Sequence, residues 1–237
     1  MSLILNIETS TSVCSVALSR GEEVIDSRES KGERSHATQL TTFISETLSD
    51  SGVSPGDLDA IAISKGPGSY TGLRIGVATA KGMAYSLKKP LIAIDTMEGM
   101  CYGLKQTMPD LFKENSILFC PMIDARRMEV YMALFRNDLS YELSVRAEIV
   151  TVDSFQSILK NQKIVFFGDG MEKCRSTIQH ANSIFVQDFY PLARYLAVIS
   201  NNYFLKNKFE DLAYFEPFYL KDFLATVPRN LLGPKRS

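Results

Sequence analysis

The sequence predicts an α/β fold made of two related lobes, and three observations point to it. Short apolar runs of strand length alternate with longer segments of helical period, the pattern of an α/β protein. The first half reads in the order β-β-β-α-β-α-β, with tight polar or glycine-bearing links between its first strands. The second half repeats the start of the first. Ile7-Glu8 is matched by Ile123-Asp124, and at the same offset VALSR (residues 16–20) is matched by MALFR (residues 132–136). An acidic residue ends the first strand of each half, and a second strand follows a short turn.

Each element has its own signal. Residues 3–7, 13–18 and 24–29 read as strands. Residues 35–50 read as a helix, with Ser35 as N-cap and Leu40, Phe43, Ile44 and Leu48 at three-to-four spacing. A strand at 60–64, a helix at 71–87 and a strand at 91–94 follow. In the second half, strands fall at 117–123, 130–135 and 143–150, then a short helix at 153–159 and a strand at 164–167. A Gly168-Asp169-Gly170 turn leads to a helix at 171–180, and a last helix spans 192–206. GLKQTMPDLFKEN is the expected connector, placing an N-terminal lobe at 1–105 and a C-terminal lobe at 106–237. The last helix is expected to be able to pack back on the first lobe.

Composition excludes several classes. The 237 residues are 45% hydrophobic, enough for a substantial core. Lys and Arg number 26 against 27 Asp and Glu, so there is no overall basic footprint and any RNA contact is expected to be minor or indirect. No run reaches the roughly 18 apolar residues of a membrane helix. The start MSLILNIETS lacks a basic region and long apolar core, so no signal peptide or membrane role is expected. Cys14, Cys101, Cys120 and Cys174 show no CxxC spacing and read as reduced thiols of a cytoplasmic protein.

GPGSYTGLRIG (residues 66–76) invites a phosphate-loop reading, but a Walker loop needs a Lys that is absent, and a dinucleotide fingerprint needs Gly where Thr71 stands. The helix start could still hold an anion. Gly68, Gly72, Gly76 and Ala80 recur every four residues, and from Gly72 onward they share one helical face. Glycine inside a helix costs about 1 kcal/mol relative to alanine, so this face has a packing role. It packs on the protein's own sheet, the favoured reading, or receives a helix from another chain.

Five stretches together carry a family resemblance: LNIETST (5–11), SHATQL (35–40), GPGSYTGLRIG (66–76), PMIDARRMEVY (121–131) and PFYLK (217–221). In these the chain resembles the bacterial TsaB (YeaZ) family over nearly its whole length. The resemblance implies the actin-like ATPase and sugar-kinase (ASKHA) fold, two β-β-β-α-β-α lobes. It implies a non-catalytic subunit in making threonylcarbamoyladenosine beside the tRNA anticodon. The implied partners are a paralogous TsaD-type enzyme, bound through the N-terminal lobes, and a TsaE-type ATPase at their junction. No cofactor is expected for the isolated chain, and ATP or ADP only within the complex.

The catalytic paralogue is expected to hold a metal with two histidines four apart on its first long helix, a spacing that brings two imidazoles to one ion. Here those positions are His36 and Leu40, and the whole chain has only one other histidine, His180. His36 reads as a hydrogen-bonding residue at the helix start. The expected partner interface comprises His36, Leu40, Phe43, Ile44, Leu48, Gly72, Leu73, Gly76, Ala80 and Met83. Glu8, Ser10, Gly68, Ser69, Asp124, Gly168 and Gly170 form a vestigial nucleotide set, with strand-end carboxylates capping turns as the simpler reading. The alternatives are a stand-alone phosphotransferase of this fold, a peptidase, and a homodimer formed in the partner's absence.

Overall fold

The structure is a computed structural model and describes residues 1–31, 36–114 and 116–221. In the first lobe, β1 (Leu3–Glu8), β2 (Val13–Arg20) and β3 (Glu23–Lys31) pair antiparallel, while β4 (Ala60–Gly66) and β5 (Leu91–Asp95) run parallel to β1. The sheet order is β3-β2-β1-β4-β5. The second lobe uses β6 (Ile117–Asp124), β7 (Glu129–Phe135), β8 (Tyr141–Ile149), β9 (Lys163–Phe167) and β10 (Ser183–Val186) in the order β10-β9-β6-β7-β8. Both sheets are three antiparallel strands continued by two parallel ones. The echo in the sequence is therefore a repeat of topology, with β1 and β6 equivalent.

The continuous apolar runs of β1 and β4 follow from burial on both faces. Side chains alternate across a strand. Leu3, Leu5, Ile7, Ile61 and Ile63 pack beneath two helices, α1 (His36–Asp50) and α2 (Tyr70–Leu87). Ile4, Ala60 and Ala62 face the other way, onto Leu196 and onto Ile199 of α6 (Ala197–Leu205), so this helix of the second half lies on the first sheet. The edge strand β3 carries Glu23, Asp26, Arg28, Glu29 and Lys31, charges that blunt an exposed edge.

Between the lobes lies α3 (Thr96–Thr107). Its Met97, Met100, Cys101 and Leu104 share a core with Phe119, Phe135, Val165 and Phe167 of the second sheet. Sequence reading placed a connector across residues 103–115, but the chain is helical through Thr107 and then forms a 3-10 turn at Pro109–Lys113. Gly99 and Gly103 weaken the local helix signal. They are there because Leu196 and the Tyr195 ring come within 2.7 and 2.3 Å of where their Cβ atoms would sit.

Other boundaries shift. The helix expected over 171–180 is one short turn, α5 (Met171–Cys174), and that expected over 153–159 is α4 (Gln156–Leu159). The last helix starts as a 3-10 turn at Ala193–Leu196 before α6. The strand β10 was not anticipated, and Ser35 lies outside the described residues.

Candidate partner face and inter-lobe cleft

The glycines of the first lobe make room for the protein's own backbone. A Cβ on Gly68 would lie 2.2 Å from the Ser10 carbonyl oxygen, one on Gly72 2.1 Å from that of Thr9, and one on Gly76 2.2 Å from Thr9 Oγ1. Ordinary contact needs about 3.5 Å or more. The turn between β1 and β2 thus lies directly on α2, and the Ser69 amide donates to the Ser10 carbonyl at 2.6 Å. Ser69 caps α2, its Oγ accepting from the Gly72 amide. Part of the donor set at this helix start is therefore already used internally.

This corrects the expected interface. Gly72, Leu73, Gly76 and Ala80 are buried against the chain's own sheet, and Leu40, Ile44 and Leu48 lie in the same core. None of these seven side chains or glycines is available to a partner; the 3.6-residue period marked the inward stripe. His36, Phe43 and Met83 are half-buried. The His36 Nε2 is buried with no hydrogen-bond partner among the described residues. The exposed positions are mostly small or hydroxyl residues, Thr38, Thr41, Thr42 and Ser45 on α1 and Thr71, Ala78, Gly82 and Ser86 on α2, with Glu46, Arg74 and Tyr85 among them. Nothing lies within 4 Å of a Cβ built on Gly82.

The members of the expected nucleotide set are neighbours, Ser10 against Gly68 and Ser69 and Asp124 against Gly170, but they differ in what they meet. Glu8 and Ser10 are buried, with relative exposures of 1% and 0%. Burial raises the Glu8 pKa against the opposing hydrogen bonds from Ser10, Ser64 and Thr9. The Ser10 amide donates to Glu8 Oε1 at 2.6 Å. Gly68, Ser69 and Asp124 do meet, across an inter-lobe cleft of about 410 Å³ also lined by Tyr70, Arg126, Glu129, Tyr131 and Lys221. Gly168 and Gly170 pack on the end of β6, where Cβ atoms would reach the Met122 carbonyl at 2.2 Å and the Ile123 carbonyl carbon at 2.7 Å. Gly168 borders a separate cavity of about 330 Å³ with Asp169 and Glu172.

Cleft electrostatics are largely internal. Lys173 pairs with Asp124 and donates to the Glu129 carbonyl, and Lys221 pairs with the Glu129 carboxylate. The Arg126 amide donates to Asp124 Oδ1 at 2.7 Å, the strand-end carboxylate capping its own turn. Burial, reinforced by the nearby Asp124 charge, pushes Asp169 up to about 6 although it accepts the Asp124 amide. Burial likewise raises Asp95 to about 6, opposed chiefly by the Met97 and Glu98 amides that it caps. Sequence reading missed Asp95. Its signal was Asp95-x-x-Glu98, a variant of the capping-box pattern. The contacts of the closing segment were also missed: Phe218 donates its amide to the Lys65 carbonyl at 2.7 Å, and the Tyr219 ring lies tilted against that of Tyr70, their centroids 4.8 Å apart. Such long-range contacts leave no local pattern.

Comparison with known proteins bears on this arrangement. A family described as "TsaD: tRNA N6-adenosine threonylcarbamoyltransferase" matches residues 24–228. The tRNA threonylcarbamoyladenosine biosynthesis protein TsaB of Bacillus subtilis is 31% identical over 69% of this chain and 69% of that protein. The chain belongs to the TsaB family. The Escherichia coli protein of the same name is 33% identical over 57% of this chain and 55% of its own length. YeaZ from Pseudomonas aeruginosa has the same fold, with a TM-score of 0.78 at 23% identity over 93% of this chain and all of that one. The fold is accordingly the ASKHA type of the TsaB and YeaZ proteins.

Proposed function

We propose that this chain acts in tRNA threonylcarbamoyladenosine biosynthesis as a non-catalytic subunit. It pairs with a TsaD-type catalytic paralogue through the outward faces of α1 and α2, and a TsaE-type ATPase joins at their junction. The observation that carries the reading is Leu40. It stands one helical turn after His36, where a second imidazole would have to be, and it is fully buried in the chain's own core. With His180 beyond β9 in the other lobe, a histidine pair on α1 cannot be formed from this sequence. Family membership supports the pathway. The inward placement of Glu8 and Ser10, and the internal use of Asp124, argue against independent phosphotransfer.

The small side chains on the outward faces let another helix approach closely, as helix interfaces with 8–10 Å axis separations require. Gly82 is the most direct probe, since a side chain there meets open space. Co-expression with the TsaD-type protein of the same organism is expected to yield a stable complex. Gly82→Arg is expected to remain folded by circular dichroism and to lose that complex. Undiminished binding by Gly82→Arg would place the contact elsewhere.

A further inference from the structure

We infer that the flank of α2 turned away from α1 is an RNA-docking surface, and that it contacts the tRNA on which the complex acts. The naming of that RNA rests on the proposed function; the polyanion surface does not. Between Asp59 and Asp95 the chain has no carboxylate at all, but it has five cations: Lys65, Arg74, Lys81, Lys88 and Lys89. The near-zero net charge conceals this segregation. Arg74, Lys81 and Lys88 are spaced by seven residues, so they recur every two turns, about 10.5 Å apart, along one side of the helix.

That side is not the one facing α1. It borders the returning chain near residues 212–219 in two shallow grooves of about 380 and 570 Å³. Arg74 and Lys81 line the first, Lys88 and Lys89 the second, and Glu216 is the single carboxylate lining either. None of the four cations has an ion-pair partner among the described residues. Lys81 is held in place by donating to the Phe215 carbonyl at 2.7 Å. Tyr85, 79% exposed, stands in the second groove, and Tyr219 borders the first.

A cation near a helix C-terminus interacts favourably with the helix dipole, which accounts for Lys88 and Lys89. It does not account for Arg74 and Lys81, near the start and middle of α2, nor for an exposed tyrosine between the charges. Unpaired cations that follow a line, interleaved with exposed aromatic rings, fit a phosphate backbone whose bases can stack. Ala78 and Ser86 also line these grooves, so on α2 the protein partner is left Gly82 and the side turned towards α1.

The test is fluorescence-anisotropy titration of the full chain with a labelled, unmodified tRNA transcript across a salt series. Binding is expected at about 50 mM salt with a steep salt dependence. Lys88→Gln/Lys89→Gln, both at the exposed helix end, is expected to weaken binding roughly tenfold and to lower the log–log salt slope by about 1.5 to 2. Tyr85→Ala is expected to weaken it at least about fivefold at unchanged salt slope. Lys160→Gln, in the second lobe, is expected to bind as wild type. No tRNA binding by wild type overturns the inference, as do unchanged binding by the α2 variants or association with phosphatidylglycerol vesicles in place of tRNA. Co-purification of Lys88→Gln/Lys89→Gln with the catalytic paralogue is scored separately, so loss of RNA contact and failure of the pairing role are told apart.

Discussion

Gly76 and Gly82 sit six residues apart on α2 and answer opposite demands. At Gly76 a methyl would overlap Thr9 Oγ1 and press on Ile63 Cδ1 at 3.1 Å. Gly76→Ala is therefore expected to cost about 2 kcal/mol or more despite its better helix propensity. At Gly82 the methyl meets nothing, so Gly82→Ala is expected to gain about 0.5 to 1 kcal/mol. Urea unfolding of the two variants checks both signs. Glu8 makes a second residue-scale prediction. Burial raises its folded pKa above the ordinary value of about 4.5. Stability is then complete below that value, and declines as pH rises from it to the folded pKa, because the unfolded chain releases the proton first. Glu8→Gln keeps a carbonyl acceptor for the Ser10 amide. Its thermal midpoint is expected to fall less than that of wild type over that window, the remaining fall coming from buried Asp95 and Asp169, and to exceed that of wild type at pH 8. The acidic strand ends were legible in the sequence as Glu8 and Asp124. Their fates were not, because burial of one and ion pairing of the other are set by residues far along the chain.

At the scale of elements, periodicity located α1, α2 and the paired strands of both lobes except β10 within a few residues. It also identified the apolar stripe Leu40, Ile44 and Leu48 but did not divide it between the chain's own sheet and a partner, because period alone gives a face and not what that face meets. The same ambiguity attached to the glycine row of α2, and the turn between β1 and β2 resolves it. The helix α3 was hidden by Gly99 and Gly103, whose need arises only when the Tyr195 and Leu196 side chains arrive from the second half. Gly103→Ala would place a methyl 2.3 to 2.4 Å from the Tyr195 ring. It is expected to lower stability by about 1 to 3 kcal/mol. Because α3 belongs to the core shared with the second sheet, calorimetry is expected to show both lobes shifting together.

For the whole molecule, the repeat of two sheets was readable from matched residues at one offset, and the family from five short motifs. What the two lobes enclose was less legible. Gly68, Ser69 and Asp124 line a cleft, but Glu8 lies under it and Gly168 borders another cavity. Chemistry is expected to belong to the partner, with this chain enabling it. The most direct measurement is threonylcarbamoyl transfer to a tRNA transcript, reconstituted from the purified TsaD-type protein, the TsaE-type ATPase and a supplied threonylcarbamoyl-adenylate donor, with and without this chain. Transfer should require this chain, fail with this chain in place of the TsaD-type protein, and fall to background with Gly82→Arg. Transfer by this chain without the TsaD-type protein, or equal transfer in its absence, would contradict the account.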